Sequence, residues 1–187
     1  MKLCIKILTR IIALSLILIP GIETSAQEIS KWIILKKKGW VRAGYSTEED
    51  MTVVEAFNLT IRDSIDKDLI ESFRINVDFR VPGKRVTTPE MVHIAFDYHS
   101  RKGRFSSGRL LTIYTGDRKI ELTATRDVWR SQYEGSVFES VGFLIPYATF
   151  KELIKEKNVK MTLDGEEFEL PGWIKGQLKI MVGMVEN

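Results

Sequence analysis

The stretch FRINVDFRV, residues 73–81, alternates without a break. Phe73, Ile75, Val77, Phe79 and Val81 share one side of an extended chain. Arg74, Asn76, Asp78 and Arg80 share the other. A period of two marks a half-buried strand, because successive side chains of a strand point to opposite faces. The question it raises is whether the polar row is a site or only the wet face of a sheet. The sequence favours the wet face.

The same pattern returns along the chain. VHIAFDY (92–98) places Val92, Ile94, Phe96 and Tyr98 together, after a Pro-Gly turn in VPGKR (81–85). RLLTIYTGDRKIELTAT (109–125) has the form of a hairpin around Gly116-Asp117, and VKMTLDGEEFEL (159–170) one around Asp164-Gly165. SVFESVGFLI (136–145) predicts another strand, and KWIILKKKGW (31–40) predicts the first, ending in a basic turn. STEEDMTVVEAF (46–57) has a cap-like start but a β-branched centre, and reads as a loop followed by a strand. Residues 41–70 are otherwise the least informative part.

Helix signals come late. Pro146 suits a helix start, Tyr147, Phe150, Leu153 and Ile154 form an apolar stripe, and Asn158 is placed to end it in left-handed geometry. Beyond Pro171, Ile174, Leu178, Met181 and Val185 recur on one helical face. Gly176 and Gly183 on that helix suggest close packing or a frayed end. The expected fold is mainly β, of the α+β class. It has about eight or nine strands in an antiparallel β-sandwich or curled sheet, with one helix near 147–156 and another near 172–185.

The N-terminus reads differently. Lys2, Lys6 and Arg10 precede an apolar run, IIALSLILI (11–19), too short to span a bilayer comfortably. Pro20 and Gly21 break it, and Thr24 and Ala26 supply small residues at a signal-peptidase cut. Residues 1–26 are therefore expected to be a signal peptide and 27–187 a single β-rich domain. Cys4 lies before the apolar run, whereas a lipoprotein signal needs its cysteine after it. The leader takes with it three of the 28 basic residues and one of the 25 acidic ones, leaving 25 against 24 and a net charge of +1. Such a balance gives no argument for nucleic acid. Cys4 is the one cysteine, so the remaining chain has no disulfide, thiol nucleophile or cysteine metal ligand. It must be held by its core, and it carries no transmembrane helix once the leader is gone.

From Glu90 onward the order of features resembles that of small exported bacterial β-rich domains of unknown function. The residues are PEMVHIAFDYHS, GRLLTIYTGDRKIELTAT and VFESVGFLIPYATFKELIKEKNVKMTLDGEEFEL. The resemblance covers roughly the last hundred residues. It implies a sandwich-like domain in a bacterial envelope or secreted setting, periplasmic or exterior, and implies no activity.

Candidate chemistry is sparse. A metal site would draw on Asp78, Asp97 and His99. His93 and His99 stand about 20 Å apart on one strand, too far to share an ion bound about 2 Å from each ligand. Asp97 and His99, about 7 Å apart, need a third ligand, Asp78 or Asn76, from the neighbouring strand. The simpler reading is a polar sheet face. No G-x-S-x-G elbow, phosphate loop or dinucleotide fingerprint is present, and no cofactor is implied. Ligand binding can be attached to two places. One is the loop carrying Arg101, Lys102, Arg104 and Phe105, where a basic loop with an aromatic suits an anionic ligand or partner surface. The other is Glu139, which shares the predicted side of Val137, Val141, Phe143 and Ile145. A carboxylate facing a core must be paired or protonated. It is either bridged to an arginine such as Arg126 or Arg130, or lines an internal pocket. The expected function is a non-catalytic exported domain, a structural or protein-interaction module of the envelope. The alternative is a small-ligand-binding protein with an apolar or anionic ligand.

Expression with the leader in an exporting bacterium is predicted to yield an extracytoplasmic chain beginning at Gln27, read by intact mass and N-terminal sequencing. A chain still beginning at Met1 in that fraction would contradict the cleavage reading.

Overall fold

The structure is a computed structural model that describes residues 32–66, 69–105, 110–125, 128–133 and 135–186. The expected leader, residues 1–26, lies outside them, as do Ser106, Ser107, Arg109 and Arg126. The described residues are mainly β, with two antiparallel sheets and two helices. Among the described residues no helix is long and apolar enough to cross a membrane.

The first five strands form a meander: β1 (Trp32–Lys38), β2 (Val41–Ser46), β3 (Met51–Asp66), β4 (Leu69–Pro82) and β5 (Met91–Ser100). The chain then forms the hairpin of β6 (Leu110–Thr115) and β7 (Arg118–Thr123) in the second sheet. It returns as β8 (Trp129–Tyr133) and β9 (Ser136–Pro146), and β9 inserts between β5 and β8. The larger sheet therefore has the order β1-β2-β3-β4-β5-β9-β8. Helix α1 (Tyr147–Leu153) follows, then β10 (Lys160–Leu163) and β11 (Glu166–Glu169) complete the smaller sheet as β11-β10-β6-β7. Helix α2 (Gly172–Glu186) ends the described chain and packs on β2 and β3.

Alternation explains the layering. Phe73, Ile75, Val77, Phe79 and Val81 of β4 are buried, as are Val92, Ile94, Phe96 and Tyr98 of β5. From the smaller sheet, Leu111, Ile113, Met161, Leu163 and Phe168 join the same core. Phe168 lies 5.0 Å from the Phe73 ring and 5.5 Å from the Phe96 ring, both edge-on, and Phe96 meets Phe143 of β9 at 6.1 Å. These rings join the two layers. A bridge between Ala124 and Phe143 and the Thr125 N–H bond to the Gly142 carbonyl (2.9 Å) link them again at the edge.

Local chemistry accounts for the turns. Asp164 (φ 51°) and Gly165 (φ 83°) are both left-handed, as the tight two-residue β10–β11 turn requires. Residues 47–50 form a turn before β3, in agreement with the expected loop and strand. Two expectations fail at the helices. Asn158 does not end α1; the helix closes at Ile154 in right-handed geometry, because Leu153 and Ile154 are both buried and the chain turns into the core there. Gly176 is not at a close approach, since nothing lies within 4 Å of the position its Cβ would take. The contact of α2 with the sheet runs instead through Ile174, Leu178 and Met181, and through Gln177, whose side-chain oxygen accepts the Trp40 N–H at 3.1 Å.

Replacing Phe96 by alanine is predicted to lower unfolding stability by about 3–5 kcal/mol, since a fully buried ring at the layer junction leaves a cavity. Urea denaturation checks it, and a loss below about 1 kcal/mol would mean that the rings do not hold the layers together.

Candidate functional site

Two polar assemblies stand out, one inside the sandwich edge and one on the outer face of the larger sheet. The inner one is built on Glu139. β9 alternates, so Glu139 lies on the side of Val137, Val141, Phe143 and Ile145, and it is 0% exposed. Its carboxylate accepts hydrogen bonds from the backbone N–H groups of Arg104 and Phe105 (the latter at 3.1 Å) and from Arg130 Nε at 2.8 Å. Arg130 Nη2 also pairs with it and donates to the Phe105 carbonyl at 3.0 Å. Of the two arginines the sequence offered, Arg130 is the partner; Arg126 lies outside the described residues. Charge-assisted bonds to both backbone and guanidinium satisfy the buried carboxylate.

Arg104 extends this assembly across the sandwich. Its guanidinium pairs with Glu166 of β11, donates to the Tyr98 hydroxyl at 2.5 Å and lies 3.7 Å from Glu71 of β4. Burial pushes the Tyr98 hydroxyl above the ordinary tyrosine range, against the pull of Arg104. Phe105 is buried, with its ring 5.9 Å from that of Tyr98. Of the five candidate ligand-binding residues, Arg104, Phe105 and Glu139 are therefore brought together and engaged with one another. Arg101 and Lys102 stay exposed. The arrangement clamps a loop and an edge strand.

The outer face follows from the sheet register. Arg74 of β4, Asp97 of β5, Ser140 of β9 and Trp129 of β8 stand opposite one another in a line across four strands. The next line is Asn76, Ala95 and Gly142, and the one beyond it Asp78, His93 and Leu144. Hydrogen bonds lock these rows. Asn76 accepts the Asn58 N–H at 2.6 Å and donates from Nδ2 to Asp97 at 2.5 Å, and Asp78 lies 2.9 Å from His93 Nδ1. The three potential metal ligands are not gathered. Asp78 faces His93, Asp97 faces Arg74 and Ser140, and His99 faces Ser72 and Phe138. Among the described residues no group of three or more His, Cys, Asp or Glu side chains is placed to hold an ion.

An open groove of about 570 Å³ runs over these rows, lined by His93, Ala95, Asp97, Val128, Trp129, Phe138, Ser140 and Gly142. Its floor is low at Ala95 and Ser140 because both are small. At Gly142 a Cβ would lie 2.3 Å from His93 Nε2, so only glycine lets the imidazole lie over β9. Trp129 is 56% exposed and meets Phe138 edge-on at 5.6 Å. A second open groove of similar size lies between β1 and α2, lined by Lys36, Lys37, Lys38 and Lys179 over Ile180 and Met184.

Sequence reasoning found His93, Asp78 and Asp97 but missed Trp129, Ser140 and Gly142. β8 is exposed at every residue, so it carries no alternation to detect. The available signal was the even row of β9, where Ser140 and Gly142 interrupt Phe138 and Leu144.

In comparisons with known proteins, no family model, no curated protein and no solved structure matches this chain.

Glu139→Ala is predicted to cost about 3 kcal/mol, because the Arg104 and Phe105 amides and Arg130 lose a common acceptor. Arg130→Ala is expected to cost less, about 1–2 kcal/mol, since that side chain is 48% exposed and water replaces part of it. Equal, negligible losses in denaturant melts would remove the clamp from the account.

Proposed function

We propose that the chain is an exported, non-catalytic binding domain of the bacterial envelope that holds a small ligand on the outer face of its seven-stranded sheet. The observation that carries this reading is the groove over the Asp97–Ser140–Trp129 part of the cross-strand line. It combines an exposed aromatic ring, a floor of small residues and polar groups already fixed by their neighbours. Its volume falls in the range of small-molecule sites, which are about 300–1,000 Å³. A purely structural module has no need of an exposed tryptophan beside an oriented carboxylate and imidazole. The groove therefore supports the ligand reading over the structural one. The loop at 101–105 supports it less, because Arg104 and Phe105 are occupied with Glu139, Glu166 and Tyr98.

Non-catalytic action is favoured by the backbone. Asp78, His93 and Ser140 are the residue types of a relay hydrolase. However, Ser140 is paired on both sides, to Asp97 and to Trp129. Its stretch of backbone is committed to the two ladders and offers no amide pocket for an oxyanion. A broad sheet face with fixed polar groups suits reversible binding better than bond cleavage.

Titration of the isotope-labelled mature protein with a solubilised envelope extract of its own host tests the reading. Amide shifts are expected to concentrate on β5, β8 and β9. Shifts confined to residues 101–105 or to the β1–α2 groove, or no shifts at all, would count against the outer face.

A further inference from the structure

We infer that the outer groove takes a neutral saccharide, an assignment of ligand class that rests on the binding-face reading above. Four features of the groove point to this chemistry. The Trp129 ring is exposed, and its orientation is fixed by the edge contact with Phe138. The apolar C–H face of a pyranose suits such a ring, because the hydrogens meet the negative face of the π system while the hydroxyls stay at the rim. Beside the ring, the floor drops to Ser140 and Ala95, with the His93 imidazole lying over Gly142, so a flat ligand can lie low on the sheet between them.

The polar groups also match a polyol. Asp97 supplies carboxylate acceptors, Ser140 both donor and acceptor, and His93 the Nε2 that projects over Gly142. Each of the two stronger groups is held from behind: Asp97 by Asn76, and His93 by Asp78. Fixed acceptors and donors at neighbouring positions recognise vicinal hydroxyls with little ordering cost.

Charge selects among ligands. Among the described residues the groove lining contains Asp97 and neither lysine nor arginine, so a phosphate, sulfate or uronate meets a carboxylate there with no cation in the described lining. Asp97 itself stands opposite Arg74 in the register, which offsets its attraction for a cation. A quaternary ammonium is best bound in a cage of several aromatic faces, and here one exposed ring is buttressed edge-on by a second. A neutral, hydroxyl-rich ligand is the class that remains.

The test uses the mature protein with maltotriose, cellotriose and tri-N-acetylchitotriose as neutral probes, and with trigalacturonate and tetramethylammonium as charged ones. At least one neutral trisaccharide is expected to shift the Trp129 indole N–H and the β5 and β9 amides. Trp129→Ala, at an exposed edge, is expected to weaken that binding at least about tenfold, while Trp129→Phe retains most of it. The inference is overturned if none of the three neutral sugars binds, or if a charged probe binds in their place with the same dependence on Trp129. If the sugars fail while the envelope extract still shifts β5, β8 and β9, only the ligand class is lost. If both fail, the binding face is lost as well.

Discussion

Phe96 is where the two layers of this protein meet. Its ring contacts Phe73 on the next strand, Phe143 on the strand beyond and Phe168 from the opposite sheet. Burying such a cluster provides most of the force that keeps two sheets face to face, since apolar area removed from water is the dominant favourable term. The contact also sets the register. In a strand the side-chain period is two, so holding Phe73 and Phe96 inward obliges Arg74 and Asp97 to face outward. The dry core therefore decides which residues form the outer polar rows.

Among the described residues, the one carboxylate buried inside that core has a related role. Glu139 is fully buried, and its bonds run to Arg130 on β8 and to the backbone at 104–105. β8 is a short edge strand with every residue exposed, so it draws little from hydrophobic burial. Its pairing with β9 is reinforced by the Arg130–Glu139 contact, one residue from Trp129. The inner ion pair thus fixes the edge that carries the outer aromatic ring. A charge in the core is in this way connected to the geometry of the groove.

Much of the fold was legible because the informative strands have one dry face. β4, β5, β9 and the two hairpins at Gly116-Asp117 and Asp164-Gly165 appear where alternation and turn residues place them. β8 was not legible, since an edge strand wet on both sides has no periodic signal. The long hairpin of β3 and β4 was seen in part. Its distal end continues beyond the alternating residues, and the register shifts between Ala56 and Leu59 and between Thr60 and Arg62 break the pattern of β3. Glu139 was legible as an anomaly, a charge in phase with Val141 and Phe143. Its choice of partner depended on β8 lying beside β9. The loop at 101–105 looked from its composition like a ligand surface, but Phe105 is held in the core and Arg104 between acids of two sheets.

The sequence by itself determined the dry and wet faces of the alternating strands β4, β5 and β9, where the two tight hairpin turns fall, and the presence of the two helices near 147 and 172, because these follow from side-chain period and local backbone preference. Only the tertiary structure decided that β9 lies between β5 and β8. That placement aligns Arg74, Asp97, Ser140 and Trp129, which come from four strands and are separated by up to 66 positions, the span from 74 to 140. Strand order is set by long-range packing of the inner faces, and no local pattern encodes it.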